Sequence, residues 1–354
     1  CAVGLATPVA LAAGLNKAAR NHILIRDTSA LEQMRNVDVV VFDKTGTLTE
    51  GHPTVIGWLW AQGQEEHYKD VLLAAESTSD HPLAEAIVTA LEGEEQVIPA
   101  HLDGFENITG KGVRVAYQGA EYWVGSHKLL KDYQANLSDI LADMLTQYES
   151  DGNSIVYFGR ENDLLAVIAI KDQLRVTSME AIRELRIQDI EICMLTGDGE
   201  RTASSVAGSL GIMRFVADAM PDDKEDFIHK LQLQGKTVAM VGDGVNDAQA
   251  LSCADVSIAM GKGTDTLMDT AMITLRTSDL LLLPKVFRLS HQTVGLMYRN
   301  LFWAFIYNTV GIFVAAGVLY PVYDILLSPA LAGAAMALSC VSVALSSLRL
   351  SSRF

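Results

Sequence analysis

Cysteine is scarce, with four in 354 residues, at positions 1, 193, 253 and 340. They share no metal-type spacing and are too sparse for a disulfide framework, so a reducing compartment is the expectation for the soluble part. Basic residues are outnumbered, 27 Lys and Arg against 43 Asp and Glu, and the net charge of −16 argues against nucleic acid as a partner, which requires a basic face. No basic leader precedes an apolar stretch, so no signal peptide is expected. An initiating Met is also lacking. Residues 1–12 are apolar and rich in small side chains but shorter than the ~20 residues a membrane helix needs. They read either as a buried segment of a soluble domain or, the favoured reading, as the tail of a membrane helix whose start is missing from a fragment. What the chain has in plenty is apolar character: 49% hydrophobic residues and a mean hydropathy of +0.21. That is high for a wholly soluble protein of a length that allows two or more domains, and the excess is local to the C-terminus.

The chemistry is organised around residues 37–49. β-Branched apolar side chains dominate from Val37 to Phe42, the pattern of a buried strand in a parallel sheet. The run turns polar and glycine-bearing at Asp43, which sets one carboxylate at the carboxyl end of a strand, where open α/β sheets bind ligands. With Lys44 beside it, hydroxyls at Thr45 and Thr47 and a backbone freed by Gly46, this string suits Mg²⁺ and phosphate. The carboxylate can itself be a covalent nucleophile, forming an aspartyl phosphate.

Lys17, Arg20 and Arg26 form the positive flank expected where a membrane helix leaves the bilayer on the cytoplasmic side. From about residue 51 to 168 the composition is mixed, with several Gly-marked turns, as in a separate α+β insertion. Within it, residues 71–76 and 83–91 carry apolar side chains at helical spacing. Asp80 is placed to cap the second helix, with Pro82 in its first turn. Gly110-Lys111-Gly112 opens an alternating strand with room for close backbone approach to a ligand. Apolar strands follow at 164–170, 190–195 and 237–241, and the last two deliver Thr196-Gly197-Asp198 and the run from Gly242 to Asp247. Strands alternating with helical stretches predict βαβ units and a parallel sheet.

Convergence of these clusters at one sheet edge supplies the parts of a reaction. Asp43 would attack a phosphoryl group while Asp243 and Asp43 would hold Mg²⁺. Thr196 and the amides around Gly197 and Asp198 could donate to phosphoryl oxygens, Lys224 could neutralise the charge on them, and Asn246 and Asp247 could order the site.

Residues 301–320 and 330–348 are two uncharged runs, each long enough to span a bilayer, joined by a short segment holding Pro321, Asp324 and Pro329. Lys285, Arg288, Arg299, Arg349 and Arg353 flank the outer ends and no basic residue lies between the runs, so both ends of this hairpin are expected on the cytoplasmic side. Inside the runs, Tyr307, Asn308, Met336, Ser339 and Cys340 read either as helix-packing and space-filling residues or, taken with Cys1, as soft ligands suited to Cu(I).

From Cys1 to about Leu350 the chain resembles the heavy-metal-transporting P-type ATPases of the haloacid dehalogenase superfamily, most closely the copper(I) exporters. The resemblance is carried by Gly4-Leu5-Ala6-Thr7-Pro8, Asp43 to Thr49, His81-Pro82, Gly110-x-Gly112, Thr196-Gly197-Asp198, Gly242 to Asp247, Tyr307-Asn308 and Met336 to Ser339. It implies an α/β fold: a haloacid-dehalogenase-like (Rossmann-like) phosphorylation domain at 21–52 and 166–284, an inserted α+β nucleotide-binding domain at 53–165, the end of a transmembrane helix at 1–20 and a transmembrane hairpin at 285–354. It also implies ATP-driven Cu(I) or Ag(I) export from a cell membrane, with the catalytic domains cytoplasmic and copper delivered by a chaperone. Asp43 would be the phosphorylated residue, with Lys44 and Thr45 beside it and Thr45 and Asp243 on Mg²⁺. Glu76, His81, Gly110 and Gly112 would meet ATP, and Cys1, Tyr307, Asn308, Met336 and Cys340 would lie on the metal path. Cys340 stands where Ser is usual, Gly199 where Asn is usual, Gln249 where Pro is usual and Ser126 where Asn is frequent. Zn²⁺ transport by the same mechanism is disfavoured because neither run holds a Lys or Asp. A soluble phosphatase is disfavoured by the two runs and by Thr45, where such enzymes often carry a second Asp. A membrane anchor without activity would leave the strand-end clusters without purpose.

Overall fold

The computed structural model describes residues 2–61, 65–79, 81–94, 97–135, 139–243, 247–261, 270–318 and 328–352. The chain opens with helix α1 (Ala2–Arg20), short strand β1 (Ile23–Ile25) and helix α2 (Ser29–Met34), then enters β2 (Val39–Asp43). Beyond a tight turn at Lys44–Leu48 come β3 (Thr54–Trp60), α3 (Glu65–Glu76), α4 (Pro82–Glu92), β4 (Gly104–Ile108), β5 (Gly112–Tyr117) and β6 (Ala120–Gly125). Helices α5 (His127–Asp132) and α6 (Asp139–Ser150) and strands β7 (Ser154–Arg160) and β8 (Asp163–Lys171) complete this middle portion. An alternating stretch follows: α7 (Ser178–Ile187), β9 (Glu191–Leu195), α8 (Glu200–Leu210), β10 (Arg214–Val216), α9 (Pro221–Leu233), β11 (Val238–Gly242), α10 (Ala248–Cys253), β12 (Val256–Met260) and β13 (Ile273–Leu275). Two long helices, α11 (Leu282–Ala315) and α12 (Pro329–Ser352), close the chain.

Seven strands form one sheet in the order β1-β13-β12-β11-β2-β9-β10, parallel except where β1 meets β13. The parallel sheet is why β2 reads as an unbroken apolar run. Val40 and Phe42 enter a core shared with Ile182, Leu185, Val286 and Phe287 on one face. Val39 and Val41 enter a second core with Ile228, Leu231 and Leu251 on the other. Each such buried side chain contributes ~1.5–3 kcal/mol against exposure, so shifting β2 by one residue would exchange its two faces and push Asp43 out of register.

The other sheet is antiparallel, β3-β8-β7-β6-β5-β4. Helices α3 and α4 cover one face through Leu72, Ile87 and Leu91, and Leu129, Leu130 and Leu145 from α5 and α6 cover the other around Trp123 and Tyr157. The 164–170 run, which the expected boundary between residues 165 and 166 gives mostly to the phosphorylation domain, lies wholly in this second sheet as β8, paired antiparallel to β3 and β7. Residues Leu164 to Ile170 are all buried, because helices cover both faces, and a doubly covered antiparallel strand carries the same apolar signature as a parallel one. The cap of α4 also differs from expectation: His81 holds it, its Nδ1 accepting from the Leu83 N–H at 3.2 Å, and Asp80 lies outside the described residues.

The first half of α11 is buried against the parallel sheet through Leu283, Val286, Phe287 and Leu289. Its second half exposes Phe302, Trp303, Phe305, Val310, Ile312 and Phe313, an apolar surface of the kind that faces lipid or a partner. Helix α1 packs on both α11 and α12, with Ala10, Leu296 and Met297 buried together. The buried Asn300 amide donates to Ser347 Oγ at 3.0 Å, a polar link between α11 and α12. Among the described residues one helix is long and apolar enough to cross a membrane, Ala330–Leu350, with a mean hydropathy of 1.9 and 11% of its most apolar stretch buried. The run expected to span at 301–320 is helical as far as Ala315, and its end and the connecting segment at 319–327 lie outside the described residues.

Candidate active site

The centre of the parallel sheet is β11-β2-β9, and the carboxyl ends of these three strands carry Asp243, Asp43 and the Thr196-Gly197-Asp198 turn. Asp43 is buried, and Lys224, from the first turn of α9, donates from Nζ to Asp43 Oδ1 at 2.5 Å and to Asp247 Oδ1 at 2.7 Å. Burial alone would push the Lys224 ammonium down, but the Asp43 and Asp247 carboxylates overcome it and hold the group above its ordinary value. Carboxylate oxygens of Asp43, Asp243 and Asp247 lie within 4.8 Å of one another. Burial, followed by the charges of Asp43 and Asp247, raises the Asp243 carboxyl to about 7. Two buried carboxylates, Asp43 and Asp247, share one ammonium, and with the half-buried Asp243 they form a set of hard oxygen donors short of positive charge, which fits Mg²⁺.

Lys44 faces the other way. Its ammonium pairs with Asp198 and donates to Ser154 Oγ at 3.0 Å. Burial would raise the Asp198 carboxyl, yet Lys44 and the hydroxyls of Ser154 and Thr196 hold it below its ordinary value. Thr196 Oγ1 donates to Asp198 Oδ2 at 3.2 Å and accepts from the Asp198 N–H at 3.1 Å, with Gly197 between them in the turn.

Gly46 shows why the turn after Asp43 needs glycine. Its φ is +71°, and a Cβ there would stand 1.4 Å from Asp243 Oδ2. The turn is clamped from outside by residues that the motif reading missed. Buried Arg175 donates from Nε to the Thr47 carbonyl at 2.9 Å and from its guanidinium to the Gly46 carbonyl. Ser178 Oγ donates to the Leu48 carbonyl at 2.7 Å. Asp172 accepts from Thr49 Oγ1 at 2.5 Å and from the Gly51 N–H at 3.1 Å. The signal for Asp172 was its place at the end of the 164–170 strand; Arg175, Ser178 and Ser154 carry none. Thr45 is half-buried, and Thr47 Oγ1 is fully buried without a hydrogen-bond partner. Asn246 lies outside the described residues.

The inserted domain closes over this edge. Thr202 Oγ1 donates to the Asn153 carbonyl at 2.7 Å, Ser205 Oγ to the Ser150 carbonyl at 2.7 Å, and Lys128 to the Asp218 carbonyl. A Cβ on Gly110, whose φ is +67°, would come 2.7 Å from Met220 Cε at the start of α9. Gly112 has a second reason to be glycine: at φ +141° its Cβ would sit 2.1 Å from the Val124 carbonyl of the paired strand β6. Burial raises Glu76 to about 8. His81 is open to water but crowded by the cleft walls, which push its imidazole down against the opposing charges of Asp198 and Asp43. The cleft thus brings His81 into electrostatic reach of the carboxylates.

The side chains expected on the metal path are not gathered in this way. Tyr307 stacks on Trp303 and is exposed, as are Asn308 and Met336; Cys340 is a half-buried free thiol. Among the described residues Cys340 joins no cluster able to share an ion, and Cys1 lies outside them.

A carboxylate at a strand end, a lysine across it and acids from the next strand define a class, and the family comparison agrees. The model of the haloacid dehalogenase-like hydrolases matches residues 37–255, a span containing all of these groups, and the chain belongs to that family. More particularly, it is 43% identical over 99% of its length to a copper-exporting P-type ATPase of Legionella pneumophila subsp. pneumophila and 44% identical over 99% to a silver-exporting P-type ATPase of Salmonella typhimurium. It covers 47% and 43% of those proteins, so the chain spans less than half the length of these curated relatives. Among solved structures, a zinc-transporting PIB-type ATPase in the E2.Pi state superposes with a TM-score of 0.68 at 35% identity, over 99% of this chain and 56% of that one. The catalytic domain of a CPx-ATPase superposes with a TM-score of 0.64 at 28% identity, over 77% of this chain and 97% of that one.

Proposed function

We propose that this chain is the phosphorylation, nucleotide-binding and C-terminal membrane portion of a P-type ATPase that exports a soft monovalent ion, Cu(I) or Ag(I), across a cell membrane. The observation that carries the reading is Asp43 held at a strand end by Lys224, with Asp243 and Asp247 close by. The Asp43 carboxylate attacks the γ-phosphorus of ATP; an acyl phosphate bond forms, the bond to the bridging oxygen breaks, and ADP leaves with the electron pair. Lys224 orients the nucleophile before the reaction and compensates charge on the phosphoryl oxygens during it. Thr196 and the backbone around Gly197 and Asp198 donate to those oxygens, and Lys44, paired with Asp198, spans from the turn to Ser154 of the inserted domain. Asp43, Asp243 and Thr45, with Asp247 close by, would hold Mg²⁺, which supplies charge neutralisation for the transferring group. Glu76, His81, Gly110 and Gly112 line the nucleotide side.

The ion assignment rests on the names of the copper- and silver-exporting relatives and on the soft donors Met336 and Cys340 in a chain whose uncharged runs hold no Lys or Asp. Cys1, Tyr307 and Asn308 complete the proposed path, with a soluble copper chaperone as donor. The catalytic domains face the cytoplasm by the basic residues at the outer helix ends. The test is ATP hydrolysis by the protein in membrane vesicles titrated with Cu(I), Ag(I) and Zn²⁺. Stimulation by Cu(I) and Ag(I), abolished in Asp43→Asn, is the expected outcome; stimulation by Zn²⁺ alone overturns the ion assignment.

A further inference from the structure

We propose that Glu225, His229 and Cys253 form a binding site for a borderline divalent transition-metal ion of the Zn²⁺ class, separate from the catalytic carboxylates and from the membrane helices. Glu225 and His229 lie one turn apart on the same face of α9, and Cys253 ends α10, which packs on α9. One ligand atom from each lies within 4.8 Å of the other two. Glu225 Oε1 and His229 Nε2 are 3.5 Å apart, close to the ~3.3 Å edge of a tetrahedron with ~2.0–2.1 Å bonds to the ion.

The tautomer of His229 is set by Gln232. Its Nε2 donates to the Cys253 carbonyl at 2.8 Å and to Asp255 Oδ2 at 3.3 Å, which leaves Oε1 as the acceptor 3.2 Å from His229 Nδ1. In the neutral imidazole Nδ1 therefore carries the hydrogen, and the bare lone pair of Nε2 points at a carboxylate oxygen. Two acceptors facing each other are reconciled either by a second proton on the imidazole, which makes an ion pair with Glu225, or by a metal ion between them, and an imidazole whose second nitrogen donates to a carbonyl is the usual support of a metal-binding histidine. Burial and a hydrogen bond to Glu225 keep the Cys253 thiol protonated before the ion arrives. On loading, its proton passes to solvent, three coordinate bonds form and the hydrogen bond to Glu225 is lost, with water completing the shell. A carboxylate, imidazole and thiolate together suit Zn²⁺ and disfavour Mg²⁺, which prefers oxygen alone. Because Glu225 follows Lys224 and α10 follows Asp247, an ion here ties together the two helices that reach into the catalytic site.

The test uses the full chain in detergent, with a phosphine reductant and excess Mg²⁺ to occupy hard sites, titrated with Co²⁺ and then Zn²⁺. The expected result is one Co²⁺ bound with thiolate-to-cobalt absorption in the near ultraviolet, bleached by Zn²⁺. The absorption is lost in Cys253→Ser and His229→Ala, kept in Cys340→Ser and Cys1→Ser, and requires about tenfold more Co²⁺ in Gln232→Ala. His229 is exposed, so its replacement leaves the fold intact, which a thermal melt verifies. Absorption that survives Cys253→Ser or His229→Ala, or the absence of a stoichiometric cobalt complex, overturns the proposal.

Discussion

Asp243 is an acid of the candidate site that the fold holds at a cost. Its carboxyl moves from an ordinary 3.8 to about 7, first because it is buried and then because Asp43 and Asp247 stand beside it. The distance between those two values, at ~1.36 kcal/mol for each pH unit, amounts to a ceiling of about 4 kcal/mol. The direction follows from proton counting. Below pH ~4 the carboxyl is protonated in both states and costs nothing. Between pH ~4 and 7 the unfolded chain gives up the proton and the folded one keeps it, so stability falls as pH rises; above pH ~7 the penalty is constant. Asp243→Asn removes the charge and keeps the shape. Without Mg²⁺ the variant is expected to unfold at a higher temperature than the parent at pH 8, by at most about 8–16 °C at ~2–4 °C per kcal/mol. The gain shrinks toward zero as pH falls to 4. Excess Mg²⁺ narrows it at pH 8 by stabilising the charged parent. Scanning calorimetry of the two proteins in detergent across this pH range reads all three effects. A variant no more stable than the parent at pH 8 without Mg²⁺, or a gain that grows as pH falls, refutes the reasoning.

Lys224→Met leaves Asp43 and Asp247 buried without their cation, and is expected to cost ~3–5 kcal/mol in thermal melts together with phosphorylation from ATP; Lys224→Arg recovers stability before it recovers activity. Gly46→Ala places a methyl group where Asp243 Oδ2 now sits, so Mg²⁺-dependent ATP turnover is expected to fall by about a hundredfold, measured by phosphate release. Asp172→Ala frees the Thr49 hydroxyl and the Gly51 N–H, with an expected loss of ~1–3 kcal/mol in urea unfolding. Glu76, raised from 4.5 to about 8 by burial, is protonated in the folded state at neutral pH. Glu76→Gln should therefore gain stability over the parent between pH 5 and 8 and none below pH 4 in the same melts.

Much of the parallel-sheet core and of the candidate site on its edge was legible because strand ends in a parallel sheet leave a strong trace. The apolar runs at 37–42, 190–195 and 237–241 each stop at a polar cluster, and in the structure these form neighbouring strands β2, β9 and β11. Lys224 was legible from its charge, and its reach to two carboxylates follows from the start of α9 at Pro221. What the sequence hid was contact across long separations. The hydrogen bonds Ser154 makes to Lys44 and Arg175 makes to the turn carbonyls span 110 and about 130 positions, and neither residue belongs to a motif. The sheet to which β8 belongs was hidden because burial on two faces erases the alternation that distinguishes antiparallel from parallel strands. The cap of α4 was misread because Asp is the commoner capping residue, whereas His81 serves through Nδ1.

The central claim is that the Asp43 carboxylate takes the γ-phosphoryl group of ATP. Its most direct test is acid-quenched incubation of the protein with γ-labelled ATP and Mg²⁺, followed by hydroxylamine. The account predicts acid-stable label on the parent, released by hydroxylamine as an acyl phosphate is, and no label on Asp43→Asn; equal labelling of Asp43→Asn, or label that resists hydroxylamine, contradicts it.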